Sequence, residues 1–289
     1  MRARYPDIES YVDRDGVRLG YQVYGEGEPT VLLLPTWTIV HSRFWKMQVP
    51  YLARHYRVIT YDGPGNGRSD RVTDPERYSV DSYALDAEAV LHACGIESAI
   101  VVGLSLGAAY GARLATLRPN LVSGLAMIGP YIPLAPASPE RDATFQRFLE
   151  PAPENPTGWQ KYNLAYWHSN YRDFAEFFFS QCFPEPHSTK AIEDAVGWAG
   201  QTNPDVLEAE ARKPPAETPW EEIVGHVACP TLVVHGTKDR ISPHERGVRA
   251  AELSAGTLLT MEASGHIPNV RDPVRVNLAL REFIDGVAS

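Results

Sequence analysis

The stretch that most constrains the fold of this chain runs from Ser98 to Leu117, where a short apolar run gives way to a helical pattern. Residues 99–102 read Ala-Ile-Val-Val, which is typical of a strand buried on both faces of a sheet. From Leu106 onward the spacing of apolar residues is helical. Between them lies a G-x-S-x-G turn, Gly103-Leu-Ser-Leu-Gly107. A strand, a tight turn and a helix in this order predict one unit of an α/β fold.

The serine at the centre of this turn, Ser105, is a candidate nucleophile. A residue at the tip of so sharp a strand-to-helix turn has a strained backbone, and its neighbours two residues away must be small. Gly103 and Gly107 meet that need, and Gly111 and Ala115 continue the small residues at four-residue spacing. The start of the helix would place free N–H groups beside the hydroxyl. Such donors stabilise a developing negative charge, so the turn predicts nucleophilic chemistry.

Similar alternation of apolar runs and helical patterns extends along most of the chain. Residues 10–23 read as a hairpin, and further strands are predicted at 30–34, 56–61, 122–128, 230–236 and 256–261. Helices are predicted at 44–53, 80–94, 245–253 and 272–287, with Pro50 as a position that can break or kink the first of them. This order predicts an α/β protein with a doubly wound, mostly parallel β-sheet and helices on both faces.

The alternation stops between Gly129 and about residue 226, in a stretch rich in proline and aromatic residues without a clear strand signal. We therefore predict a helical cap inserted at residues 130–226, with the sheet domain formed by residues 1–129 and 227–289. The many aromatic residues could form the core of this insert or an apolar wall facing a substrate. Trp167 and Phe178 are candidates for that wall, which would suit a small molecule with an apolar or aromatic acyl part.

Composition limits the partners of such a protein. The formal net charge of −9 argues against nucleic acid and anionic membranes. The chain has no run of roughly 18 apolar residues, so no membrane span is predicted. The first residues lack the apolar segment of a secretory signal. The three cysteines are scattered without metal-binding spacing, which is typical of reduced cysteines in the cytoplasm. We expect a cytoplasmic protein that acts on a small molecule, with a homodimer left open.

Two further polar residues follow predicted strands at the same edge of the sheet as Ser105. Asp239 comes after the strand at 230–236, and His266 follows the strand at 256–261. Because sites in open parallel sheets form at the carboxyl ends of the strands, these three side chains are expected to meet. A serine nucleophile needs a base, and the base needs an orienting acid, so the three residues predict a Ser-His-Asp catalytic site.

Taken together, these segments resemble the α/β-hydrolase superfamily, in particular its serine hydrolases with a cap domain, over nearly the whole chain. The turn at 103–107 is similar to the nucleophile elbow of that family, His235-Gly-Thr-Lys-Asp239 to its acid turn and Gly265-His266 to its histidine loop. Residues 62–69 resemble the turn after its fourth strand. The resemblance implies hydrolysis of a carboxylic ester or related acyl substrate through an acyl-enzyme, with no metal or organic cofactor.

One segment departs from the family pattern. The family usually has His-Gly after its third strand, and the next N–H helps to bind the oxyanion, whereas this chain has Pro35-Thr36-Trp37. By position, the N–H groups of Trp37 and Leu106 are expected to form the oxyanion hole. Thr36, His41 and the Trp37 ring are expected to border the substrate pocket.

Several activities remain compatible with these residues. Acyl transfer, thioester cleavage and hydrolysis of a C–C bond can use the same triad, because the pocket and the acceptor select the reaction. A ligand receptor that keeps the triad without turnover is an alternative of a different class. The sequence leaves the substrate open.

Overall fold

A computed structural model of the chain describes residues 4–289, which contain one eight-stranded sheet. The strands are β1 (Ile8–Arg14), β2 (Val17–Tyr24), β3 (Thr30–Leu33), β4 (Arg57–Tyr61), β5 (Ala99–Leu104), β6 (Val122–Ile128), β7 (Thr231–Gly236) and β8 (Thr257–Met261). Their order in the sheet is β1-β2-β4-β3-β5-β6-β7-β8. The first two strands and the β2–β4 pair are antiparallel, and all other neighbours are parallel. The predicted hairpin and mostly parallel sheet are therefore confirmed.

Helices connect the strands and cover both faces of the sheet. In chain order they are α1 (Val49–Leu52), α2 (Val80–Ala93), α3 (Leu106–Leu117), α4 (Pro139–Gln146), α5 (Leu164–Cys182), α6 (Thr189–Ala199), α7 (Pro204–Ala211), α8 (Trp220–Gly225), α9 (His244–Leu253), α10 (Pro268–Arg271) and α11 (Pro273–Ala288). Among residues 4–289, no helix has the length and apolarity needed to cross a membrane.

The central strand β5 shows why the sheet has two covered faces. All six of its residues are buried, and successive side chains point to opposite sides. Val101 packs in a core with residues of α2 and α3, whereas Ile100 and Val102 pack in a second core with residues of α11. The second core continues without interruption into the aromatic residues of the helices between β6 and β7.

The helix predicted at residues 44–53 is wrong. Residues Ser42–Trp45 form a 3₁₀ turn, and only Val49–Leu52 form a short α-helix. Pro50 lacks an N–H and is tolerated only in a first helical turn, so the helix begins beside it rather than running through it. The Trp45 indole Nε1–H donates to the Leu34 carbonyl oxygen at 2.8 Å, which fixes the turn on the end of β3.

Between β6 and β7 every residue is described, and the chain forms helices and loops without a strand. We call residues 139–225 the helical insert. Helix α5 changes direction at Asn170, whose φ of −140° and ψ of 45° are not helical. At the other end of the insert, α8 packs against α3 and α9 of the sheet domain. The division of the chain into a core and a cap at residues 130 and 226 stays a prediction.

Candidate active site

Ser105 lies at the tip of the turn between β5 and α3. Its φ of 56° and ψ of −118° are rare for a residue with a side chain, which is the strain that the turn predicts. A Cβ on Gly103 would lie 2.2 Å from the Gly107 carbonyl oxygen, and one on Gly107 would lie 2.4 Å from the Pro35 oxygen. The backbones therefore approach so closely that both positions require glycine.

Asp239, in the turn after β7, binds His266 from the loop after β8. The Asp239 Oδ2 atom lies 2.7 Å from His266 Nδ1, and both side chains are buried. Because a carboxylate only accepts, Nδ1 carries the hydrogen and Nε2 is left as the basic nitrogen. Although burial alone would raise the pKa of Asp239, the imidazoles of His266 and His235 hold it well below its usual range. The carboxylate therefore stays ionised and can orient His266.

His235, the last-but-one residue of β7, contacts the same carboxylate. Its Nε2 lies 3.0 Å from Asp239 Oδ2 and 3.0 Å from the Ser242 carbonyl oxygen, so this nitrogen carries the hydrogen. Gly247 of α9 leaves room for the ring, since a Cβ there would lie 2.2 Å from His235 Nδ1. From the sequence, His235 is expected to pack at a strand end rather than to act in catalysis. Its four-residue spacing from Asp239 was the available signal for this contact.

Two cavities meet at Ser105. The smaller, of about 60 Å³, is apolar and is lined by Thr36, Trp37, Phe178 and His266 as well as Ser105. The larger, of about 340 Å³, again includes Ser105, Trp37 and Phe178 and is wider and more polar. Ser105 and His266 thus share a cavity wall, but the serine hydroxyl forms no hydrogen bond with another residue of the described range 4–289. Catalytic hydrogen bonds are often long in ligand-free enzymes and tighten when substrate binds.

The two expected oxyanion donors have no competing acceptor. Neither Trp37 N–H nor Leu106 N–H donates to a group within residues 4–289. Leu106 is the first residue of α3, where N–H groups have no partner within the helix. The hydroxyl of Thr36 is also buried without a hydrogen-bond partner in the described part of the chain. These groups therefore have no acceptor in the described part of the chain that would compete with a ligand oxygen.

The loop that carries Trp37 is held by a carboxylate from the helical insert. Glu210 of α7 is wholly buried and accepts hydrogen bonds from the N–H of Thr38, at 3.0 Å, and from its hydroxyl. Its other oxygen accepts from Tyr110 at 3.2 Å and from Tyr83 at 3.4 Å. Sequence reasoning missed Glu210, because a glutamate is almost never fully buried and nothing in the sequence of α7 marks this one.

Not all the residues predicted to form the pocket line the two cavities beside Ser105. Thr36, Trp37 and Phe178 do, and the rings of Trp37 and Phe178 meet at a centroid distance of 4.9 Å. Trp167 lines neither cavity beside Ser105; it is wholly buried in the aromatic core of the insert. His41 lines a different cavity; it caps the 3₁₀ turn at Ser42–Trp45, and its ring faces Trp198 at a centroid distance of 6.0 Å. The pocket assignments of Trp167 and His41 are therefore corrected.

The profile of a family described as alpha/beta hydrolase fold matches residues 29–273. The chain belongs to the α/β-hydrolase family. The expected family and fold class are thus confirmed. Within residues 4–289, no group of three or more His, Cys, Asp or Glu side chains is arranged to bind a metal ion.

Individual relatives cover nearly the whole chain. An (E)-2-((N-methylformamido)methylene)succinate hydrolase from Acinetobacter baylyi is 25% identical over 92% of this chain and 93% of its own length. A karrikin insensitive 2 receptor, IA, from Petunia hybrida is 27% identical over 93% of this chain and 95% of its own length. The crystal structure of a bromoperoxidase from Bacillus anthracis superposes with a TM-score of 0.80 at 21% identity, covering 96% of this chain and 100% of its own, and shows the shared fold. The family and its relatives identify an α/β-hydrolase enzyme.

Proposed function

We propose that this protein hydrolyses a carboxylic ester or a related acyl substrate through an acyl-enzyme formed on Ser105. The observation that carries the proposal is the strained position of Ser105 in a cavity wall shared with His266, whose other ring nitrogen is held by the buried Asp239. A strained turn costs folding free energy, and a serine whose only role was packing would not need such a turn. The three free cysteines fit the reducing cytoplasm, where we place the protein.

In the proposed reaction, Ser105 Oγ attacks the acyl carbon while His266 Nε2 takes its proton. The negative charge that develops on the acyl oxygen is bound by the N–H groups of Trp37 and Leu106. His266 then gives the proton to the leaving group. A water molecule activated by the same nitrogen hydrolyses the acyl-enzyme, and the proton returns to Ser105. Throughout, Asp239 fixes the tautomer of His266 and stabilises its charged form.

The test is labelling with a fluorophosphonate, which reacts with an activated serine, combined with turnover of p-nitrophenyl esters. We expect the wild-type protein to label and turn over, and Ser105→Ala to do neither while keeping its thermal unfolding midpoint. Loss of the nucleophile is expected to lower kcat by on the order of 10⁴ or more. A Ser105→Ala protein that keeps a tenth of the wild-type rate would overturn the assignment.

The relative named as a receptor favours one second candidate, a ligand-binding protein with little turnover. The two functions differ in the fate of the acyl-enzyme. Repeated turnover of an ester, with release of more product than there is enzyme, supports the hydrolase. A single stoichiometric burst of product with no later turnover supports the receptor. Added alcohol or amine that diverts the acyl group into a new ester or amide would instead indicate acyl transfer.

A further inference from the structure

The larger cavity beside Ser105 contains a buried cation without a counter-charge. Arg141 of α4 is 3% exposed and lines this cavity together with Ser105 and Leu106. Its Nε and Nη1 atoms are buried and have no hydrogen-bond partner within residues 4–289. The guanidinium donates only one long hydrogen bond in that range, from Nη2 to the Tyr131 hydroxyl at 3.4 Å. The edge of the guanidinium formed by Nε and Nη1, which can donate to a planar anion, is thus left without a partner in the described part of the chain.

Aromatic rings account for part of this environment. The guanidinium carbon lies 4.2 Å from the ring centre of Trp159, 4.9 Å from that of Phe145 and 5.4 Å from that of Tyr162. Cation–π contacts of this kind offset some of the cost of burying the charge. They do not replace acceptors for the N–H groups in the guanidinium plane, and unpaired buried N–H groups are costly. The rings instead hold the guanidinium in a fixed orientation.

The other charged groups of the cavity leave Arg141 unpaired. The oxygens of Glu210 are directed to Thr38, Tyr83 and Tyr110, as described above. Lys213 lies on the same wall, and its Nζ is 4.0 Å from a Glu210 oxygen. No ion pair joins Arg141 to a carboxylate within residues 4–289, and the oxygens of the one carboxylate in the lining of this cavity, Glu210, are engaged with other residues.

We propose that Arg141 binds a carboxylate of the substrate, so that the natural substrate is an ester or lactone with a free carboxylate some distance from the acyl carbon. This inference rests on the proposed function and specifies its substrate class. A guanidinium donates two parallel N–H groups that match the two oxygens of a carboxylate. Arg141 thereby selects an anionic substrate and positions its acyl carbon at Ser105, with the apolar part of the molecule against Trp37 and Phe178.

The test compares two esters of similar size that differ in charge, p-nitrophenyl hydrogen glutarate and p-nitrophenyl pentanoate. We expect wild-type kcat/KM to be at least tenfold higher for the glutarate ester. Arg141→Met, which keeps an unbranched apolar side chain but removes the guanidinium and its charge, should lose about 10- to 100-fold in kcat/KM on the glutarate ester, the range of one charge-assisted hydrogen-bonded pair. Its kcat/KM on the pentanoate ester should stay within about threefold. Arg141→Lys should recover part of the preference.

Binding of glutarate, measured by calorimetry, provides a second reading that needs no turnover. Wild-type protein should bind glutarate at least tenfold more tightly than the neutral glutaramide, and Arg141→Met should lose this difference. Equal kcat/KM for the two esters in the wild type, together with equal binding of glutarate and glutaramide, would overturn the carboxylate assignment. If the pentanoate ester is then still hydrolysed in a Ser105-dependent way, the proposed hydrolase function survives. Failure of fluorophosphonate labelling and of all ester turnover would instead reject that function, and glutarate binding would still decide the role of Arg141.

Discussion

Replacing Glu210 tests whether the helical insert positions the loop that carries Trp37, whose N–H we propose as an oxyanion donor. Glu210→Ala removes the acceptors of the Thr38 N–H and hydroxyl and of two tyrosine hydroxyls in a wholly buried site. Each buried polar group left unpaired costs about 1–3 kcal/mol. Some of the hydroxyls can turn to other partners, so we expect a loss of about 3–5 kcal/mol in the free energy of unfolding, less than the sum over all four groups.

The catalytic effect follows from the position of Thr38 directly after Trp37. Loss of one oxyanion donor lowers kcat by roughly 10²–10³. Because Glu210→Ala would displace the Trp37 N–H rather than remove it, we expect kcat to fall about 10- to 100-fold. Glu210→Gln keeps the shape and one acceptor, so it should cost about 1–2 kcal/mol of stability and less than tenfold in kcat.

The assay combines urea unfolding with steady-state kinetics on a p-nitrophenyl ester at a temperature where each variant is folded. Tyr83→Phe is the matched control. It loses a long hydrogen bond of 3.4 Å to the same carboxylate but leaves both contacts with Thr38 in place. It should change stability by about 1 kcal/mol or less and leave kcat unchanged. A folded Glu210→Ala variant with wild-type kcat would refute the reasoning.

Three further predictions concern the acid, its second histidine and the aromatic residues. His235→Phe keeps an aromatic side chain but loses the N–H that donates to Asp239. Because it removes a hydrogen bond to a charged group, kcat of the folded variant should fall by about tenfold. The depressed pKa of Asp239 stabilises the fold above its unfolded pKa of about 3.9, and this stability is lost as the pH falls through the lower folded value. The difference in unfolding free energy between wild type and Asp239→Asn should therefore be fully present above about pH 5 and shrink as the pH is lowered towards 2. Trp167→Ala should lower the free energy of unfolding by about 3–5 kcal/mol and leave the preference for acyl chain length unchanged. Phe178→Ala should enlarge both cavities and shift that preference to longer chains. Equal shifts in the two variants would contradict the positions of these rings.

The residues of the turn at 103–107 were predictable because their requirement is local. A serine with positive φ between two backbones in close approach needs glycine on either side, whatever the rest of the chain does. The same holds for the strands, since runs buried on both faces carry their own apolar signature. The meeting of Asp239 with His266 was also predictable, because parallel strands bring the segments after β7 and β8 to one edge of the sheet.

Only the tertiary structure decided which residues of the helical insert reach the site. An arginine in α4 and a glutamate in α7 look solvent-exposed in sequence, yet Arg141 and Glu210 are buried at the cavity beside Ser105. Conversely, Trp167 looks like a pocket residue and lies wholly in the core. Helical periodicity gives the relative direction of side chains on one helix but not the rotation of that helix against the sheet. That rotation is set by packing between distant segments, which local sequence patterns do not show. The sequence by itself therefore determined the fold and the residues at the ends of the strands. The packing of the insert decided which other residues line the cavities beside Ser105.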